Sequence, residues 1–314
     1  MPCLSHANVH DVFSSLFGRP EKQVVKTSYE YRPYKSVNAE DSSHTLSSQS
    51  HDLSTSMPLN SDRDHYWKLL PGFEYREINT NALFPSGRVF PRRLWNPSLG
   101  ASLYHLYSSG NSLVGSFAVS SPSDQPFSEW KNVAVQGTFV FKKIVDADTS
   151  WLFFIFFSNN RGILDYVPLP GVAYAFRPTK NLHLVLGIPF VSAIWSATDS
   201  FLITAFYLPP LAGSLKASYF LFGPAHIFAQ IKTQTKSYFL NNRAIAAEKF
   251  FDLENVVQGG FSVPLEQHIL VDISAGNSFG RKFFLGTQRK DQNSSQVRRT
   301  DNALFADAKL VVNF

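Results

Sequence analysis

The sequence predicts an all-β protein, an antiparallel up-and-down barrel that crosses a membrane with fourteen strands and follows a disordered N-terminal segment; twelve is the alternative count. Three observations carry this. The last twelve residues alternate, with Leu304, Ala306, Ala308, Leu310, Val312 and Phe314 on one strand face. Asp307, Lys309 and Asn313 lie on the other face, and Phe305 and Val311 are the exceptions. This is an apolar-out, polar-in pattern. The chain also holds 29 Phe and 12 Tyr against 2 Met, a bias toward residues that favour strands and membrane interfaces. Finally, no stretch reaches the ~18 to 20 uninterrupted apolar residues that a spanning helix requires. The run 151–157 is too short, and the run 182–195 is broken by His183, Gly187 and Pro189.

Composition sets further bounds. A chain of 314 residues suits one large β domain. Its mean hydropathy of −0.10 is too low for a bundle of membrane helices. Net charge is +5, but the basic residues are scattered and form no compact stripe interleaved with aromatics, so nucleic acid is not an expected partner. The only cysteine is Cys3. That excludes a disulfide framework, a thiolate metal site and a catalytic thiol in the body of the chain. No cofactor is implied.

Residues 1–66 read as a truncated leader followed by a disordered periplasmic segment, and residues 67–314 as the barrel. Residues 1–7 are too short for a signal peptide, although Ser5 and Ala7 have the spacing of a cleavage site. A short helix over 8–17, capped by Asn8 or Asp11, is an isolated element. The stretch 36–65 is rich in Ser, Asp and His and poor in large apolar side chains, which leaves little surface to offset its ordering entropy. Within it, His44, His51 and His65 lack the spacing of metal ligands and read as solvated.

From Trp67 onward, short strands alternate with turn residues. The expected strands are 73–84, 98–106, 112–120, 131–143, 150–158, 168–177, 181–188, 190–197, 201–208, 213–222, 225–235, 255–263, 268–277 and 303–314. The first of these alternates poorly. Alternation is clearest at Val133, Val135, Phe139 and Phe141 against Gln136 and Thr138. It recurs at Ile227, Ala229 and Ile231 against His226, Gln230 and Lys232, and at Ile269, Val271 and Ile273 against Asp272 and Ser274. The connections form a second pattern: 108–110, 146–149, 178–180, 198–200, 223–224 and 264–267 are short, whereas 121–130, 159–167, 236–254 and 278–302 are long. Two connections that should be long, at Pro189 and 209–212, are short.

The closing strand, through Leu310, Val312 and Phe314, resembles the carboxy-terminal assembly signal of bacterial outer-membrane barrels. The stretch 171–284 resembles an uncharacterised family of such barrel proteins. The likeness lies in Leu182-His183-Leu184-Val185-Leu186-Gly187-Ile188-Pro189-Phe190, Ala193-Ile194-Trp195, Gly276-Asn277-Ser278-Phe279-Gly280-Arg281 and Phe283-Phe284. It implies a membrane barrel in the bacterial outer membrane, with the barrel-assembly machinery and outer-membrane lipid as partners, and it carries over no catalytic residue. Gly187 and Pro189 suit a tight turn. Arg281 is placed to reach an inward carboxylate such as Asp272 or Asp307.

A hydrolase grouping from Ser274, His226, His268 and Asp272 lacks any local signature, so no enzyme is expected. In the register above, Lys142, Lys216, Lys232 and Lys309 point into the lumen with Asp272 and Asp307, and such an interior would favour anions. The loop 278–302 carries Arg281, Lys282, Arg289, Lys290, Arg298 and Arg299, cations that could hold lipopolysaccharide phosphates. The expected function is therefore a passive small-solute channel or a structural barrel. The alternatives are a surface interaction or adhesion protein using the long loops and, less favoured, a lipid-modifying hydrolase.

Overall fold

The computed structural model describes residues 24–40, 43–60, 62, 64–294 and 296–314. The expected leader and the 8–17 helix lie outside them. The strands are β1 Lys26–Asn38, β2 Thr45–Pro58, β3 His65–Thr80, β4 Arg93–Leu106, β5 Ser112–Ser120, β6 Ala134–Ile144, β7 Thr149–Ser158 and β8 Leu169–Thr179. There follow β9 Leu182–Ile188, β10 Val191–Thr198, β11 Phe201–Leu208, β12 Ala212–Phe222, β13 Ala225–Phe239, β14 Lys249–Glu266, β15 Ile269–Gly286, β16 Val297–Arg299 and β17 Ala303–Asn313. Chain neighbours pair antiparallel from β1 to β15; β17 pairs with both β15 and β1 and so closes the ring. The three-residue β16 pairs with β15 alone and stands outside it.

The barrel therefore has sixteen strands, which corrects the expected fourteen and the alternative twelve. Each of the fourteen expected strands corresponds to one of β3 to β15 or to β17, and the two additional strands are β1 and β2. These two come from the stretch expected to be disordered. Their low apolar content has a different cause: the inward positions Ser48, Ser50 and Asp52 of β2 face Ile78, Arg76 and Glu74 of β3 across the ladder. A strand with a polar lumen on one side needs few apolar residues. His51 and His65, expected to be solvated linker residues, are strand residues, and the His51 ring packs against Tyr29, Tyr31 and Tyr75.

One rim carries the connections 107–111, 145–148, 180–181, 199–200, 223–224 and 267–268, together with the sheet ends at Lys26 and Asn313. It corresponds to the inner rim of the expected barrel, the one at which the C-terminal strand ends. The outer rim carries the longer connections 81–92, 121–133, 159–168, 240–248 and 287–302, as well as the two short ones at 189–190 and 209–211. Side chains alternate as the pleat requires. In β17 the outward Leu304 and Leu310 are exposed, while Phe305, Asp307 and Val311 are buried inward.

The wall is uneven. Strands β9, β10 and β11 have 7, 8 and 8 residues, whereas β14 and β15 have 18 each. At the rise of ~3.4 Å per residue and the tilt of ~40° usual in such barrels, these correspond to heights of about 20 Å and about 45 Å. Above the low wall, the ring closes by another route. The pairing of β13 with β12 stops at Thr233. Beyond it, the Phe239 N–H donates to the Pro122 carbonyl at 2.7 Å, and Ser123 forms a parallel bridge with Phe239. Ser123 is also bonded in both directions to Trp95 of β4, at 2.8 and 2.9 Å. The Asn160 side-chain amide donates to the Ser237 carbonyl at 3.3 Å. Segment 121–123 thus joins β4 to β13 and bypasses the strands between them, making a narrower outer storey.

That storey has its own core. Ile78, Leu94, Tyr238, Phe250 and Phe283 are buried inside it with Phe84 and Phe90 of the 81–92 connection. Phe84 and Phe90 stack at 4.1 Å between centroids, and both meet Phe250 edge-on. These are favoured aromatic geometries.

Candidate functional site: the lumen

A belt of paired charges lies inward on the tall strands. Arg32 of β1 donates to Asp307 of β17 at 2.6 Å and to Glu30 at 2.9 Å. Asp252 of β14 accepts from Arg281 Nε at 3.1 Å and Nη2 at 3.0 Å, and also pairs with Arg76 of β3. Glu254 accepts from the Tyr34 hydroxyl at 3.0 Å, from the Ser278 hydroxyl at 2.8 Å and from Gln234. Glu74 accepts from Lys236 and, at 2.8 Å, from the Tyr238 hydroxyl. Strands far apart around the ring are therefore tied across its interior. Buried charges persist where each has such partners, because an uncompensated ion away from water is costly.

Arg281 owes its place to a bulge. Along β15, Ser274 and Ser278 are buried inward, and simple alternation would turn Arg281 out. Between the pairs Asn255↔Phe279 and Leu253↔Lys282, β15 holds one extra residue, and Gly280 has φ +59°. Glycine takes this conformation without a Cβ clash, and the insertion switches faces so that Arg281 and Phe283 point inward. Arg281 does reach an inward carboxylate, but its partner is Asp252 rather than Asp272 or Asp307. Its guanidinium lies 4.5 Å from the Tyr34 ring centroid and 4.6 Å from that of Phe283.

The expected lumen residues occupy inward positions. Lys142 stands opposite Ser112 and Leu152. Lys216 stands opposite Thr204 and Gln230, with its Nζ 4.3 Å from the Phe228 ring centroid. Lys232 stands opposite Ser214 and Val256. Asp272 and Lys309 face one another, whereas Asp307 belongs to the Arg32 cluster. Apart from Lys142 on β6, the inward positions of β5 to β11 are largely apolar: Val114, Val140, Leu152, Val185 and Phe206 form one buried cluster. The lumen thus carries Lys216, Lys232 and Lys309 on β12, β13 and β17, and Lys142 within the otherwise largely apolar wall of β5 to β11.

Residues missed from sequence are Glu30, Arg32, Glu74, Arg76, Lys236, Asp252 and Glu254. The first two fall in residues 1–66, taken for a leader and a disordered segment, and the last three in 236–254, taken for a loop. Glu74 and Arg76 lie on the expected strand 73–84, but its poor alternation left them unassigned. The i, i+2 spacing of Glu74 with Arg76 and of Asp252 with Glu254 was the available signal.

Most cations of the outer loop are engaged within the chain. Arg298 donates to the Leu83 carbonyl at 2.7 Å and to the Glu40 carbonyl at 2.7 Å, and Arg299 pairs with Glu40 at 3.6 Å. Arg289 is buried, and Lys290 is exposed. Of the hydrolase grouping, His226 places Nδ1 2.9 Å from the Pro224 carbonyl. Leu310, Val312 and Phe314 lie on the outward face, with Phe314 73% exposed.

No family model matches the chain, and no curated protein matches it. Solved structures similar to it are outer-membrane barrels. An outer-membrane channel from Pseudomonas putida F1 is 8% identical, with 94% of this chain and 97% of that one covered and a TM-score of 0.40. A mutant of the monoaromatic hydrocarbon channel TodX, a protein of Pseudomonas putida, is 10% identical over 100% and 96%, with a TM-score of 0.41. A mutant of the Rh. blastica porin is 11% identical over 92% and 100%, with a TM-score of 0.38. At these identities the likeness concerns the fold alone.

Proposed function

We propose that the protein is a passive channel of the bacterial outer membrane that favours anions. The observation that carries this is the inward placement of four lysines, Lys216, Lys232 and Lys309 on β12, β13 and β17 and Lys142 on β6, which puts cations on more than one side of the inner lumen. Cations in a narrow, partly apolar passage lower the energy of an anion within it and raise that of a cation. Outward, Phe117, Phe139, Phe153, Leu215, Val257 and Ile273 are exposed, a surface suited to acyl chains. In liposomes containing the purified protein, chloride should enter faster than sodium, and replacing Lys216, Lys232 and Lys309 together with Gln should abolish the difference. Equal rates in the unaltered protein would refute the anion preference.

The packed outer storey favours a second reading, a structural barrel without transport. Chloride influx no faster than in protein-free liposomes would select it. On either reading, Leu310, Val312 and Phe314 form the signal taken up by the assembly machinery. Deleting Phe314 should then reduce the fraction of protein that shows a heat-dependent shift in gel mobility, and an unchanged fraction would refute that role. Contact with lipopolysaccharide through the outer loop rests on Lys290 and Arg299. Their joint replacement by Gln should lower the lipopolysaccharide retained on purification, and unaltered retention would remove this partner.

A further inference from the structure

Two histidine side chains meet at the inner rim, His65 at the start of β3 and His105 near the end of β4. They stand 40 residues apart in sequence, and the ladder sets them directly opposite one another. Tyr66 and Tyr104, the next pair along, are buried inward, so the two histidines face outward, and His65 is exposed. The Leu106 N–H donates to the Asp64 carbonyl at 2.8 Å. Because hydrogen-bonded and non-hydrogen-bonded pairs alternate, His65↔His105 is of the second kind, in which Cα atoms approach to about 4.5 Å and side chains lie closest. The two Nδ1 atoms are 2.6 Å apart, the ring planes differ by 11° and the centroids are 4.2 Å apart. The nitrogens are therefore turned toward each other between the rings, one carrying a hydrogen and the other accepting it. Tyr107 backs the His105 ring edge-on at 4.2 Å between centroids.

We propose that His65 and His105 form a chelate for a divalent transition-metal ion of square-planar preference, Cu²⁺ above all, which takes the place of the hydrogen between the two nitrogens. The ring that carried Nδ1–H takes that proton back on Nε2 through water. Each imidazole thus stays neutral, the form that ligates, and no electron is transferred. The spacing selects the ion. At metal–nitrogen bonds of about 2.0 Å, two nitrogens at a right angle lie about 2.8 Å apart, and two at the tetrahedral angle about 3.3 Å. The 2.6 Å between the Nδ1 atoms is close to the first value and well short of the second. A square-planar Cu²⁺ therefore enters with a small opening of the rings, whereas a tetrahedral Zn²⁺ requires a larger one. Water completes the coordination, because among the described residues no group of three or more His, Cys, Asp or Glu converges. Bound there, the ion ties β3 to β4 at the inner end of their ladder. The site lies outside the lumen, so it is independent of the channel reading.

The test uses the full chain with Cys3→Ser, made without a polyhistidine tag, folded in detergent and stripped of metal with a chelator. Titration with Cu²⁺ alone, followed by calorimetry and electron paramagnetic resonance, should show one strong site with an axial spectrum and two equatorial nitrogens. His65→Gln and His105→Gln should each weaken that site about hundredfold, because either change turns a chelate into a single ligand. The double substitution should cost little more than one alone, as for two groups that act as a unit. His268→Gln, in another inner-rim connection, should leave the affinity unaltered. Saturating Cu²⁺ should also raise the urea midpoint of the heat-shifted gel band in the unaltered chain and in His268→Gln, but in neither His65→Gln nor His105→Gln. Copper affinity undiminished in His105→Gln, as expected if the ion binds adventitiously elsewhere, would overturn the site. So would a spectrum of the unaltered chain with fewer than two nitrogens, a result that decides even where a variant fails to give the heat-shifted band.

Discussion

Asp252 holds two guanidinium groups at once, Arg76 and Arg281, at a site where all three side chains are almost wholly buried. Removing the carboxylate leaves two cations facing each other without compensation. Asp252→Ala should therefore destabilise the barrel by about 3–5 kcal/mol, the range for breaking a buried ion pair from one side. Urea titration of the heat-shifted gel band measures it, and a loss below about 1 kcal/mol, the level of an exposed pair, would refute the burial described. That Arg281 could reach an inward carboxylate was an expectation for a loop residue beyond strand 268–277; the bulge at Gly280 that turns it inward within β15 was not visible in the alternation. The partner of Arg281 was not visible either, because Asp252 sits six residues before the next alternating triplet, Gln258, Gly260 and Ser262, on a stretch with Phe250, Phe251 and Leu253 inserted among its polar residues. Those residues are buried on both faces, so the period of two disappears from the sequence although the backbone is still a strand.

At the scale of elements, β1 and β2 show where composition misleads. Disorder and a polar lumen both select Ser, Asp and Gln, and only the partner strand distinguishes them. The register β1 Lys26↔Asn313 to Tyr34↔Phe305 makes β1 the strand that closes the ring on β17. Deleting residues 24–58 should abolish the heat-shifted band, because β3 and β17 would be left as unpaired edges. A lead-in segment could be removed without that loss, so persistence of the band would refute the sixteen-strand closure. The strands with one lipid-type face, by contrast, were legible in place if not in length: β14 and β15 extend well beyond 255–263 and 268–277, into regions where the outward side chains are covered by β16 and the loops.

For the whole molecule, the alternation of short and long connections was readable, including the two short exceptions at 189–190 and 209–211. What those exceptions meant was not, because the closure above them joins Pro122 and Ser123 to Phe239, residues distant in sequence and outside any periodic pattern. The filled outer storey predicts low axial conductance. Phe84 and Phe90 belong to the 81–92 connection, so replacing both with Ala removes filling from the storey without touching the strand ladder. Ion conductance in planar bilayers should rise. Unchanged conductance, with the heat-shifted band retained, would mean that these aromatics do not block the axis.

The difference in wall height has a consequence for the surrounding bilayer. A hydrocarbon band about 25 Å tall is well matched by β14 and β15, but exceeds the ~20 Å of β9 to β11. Acyl chains beside the low wall must shorten, or the barrel must lean, and either costs a fraction of a kcal/mol per Å of mismatch. In the outer-membrane setting proposed above, the lipid would be most compressed along β9, β10 and β11, on one side of the barrel only.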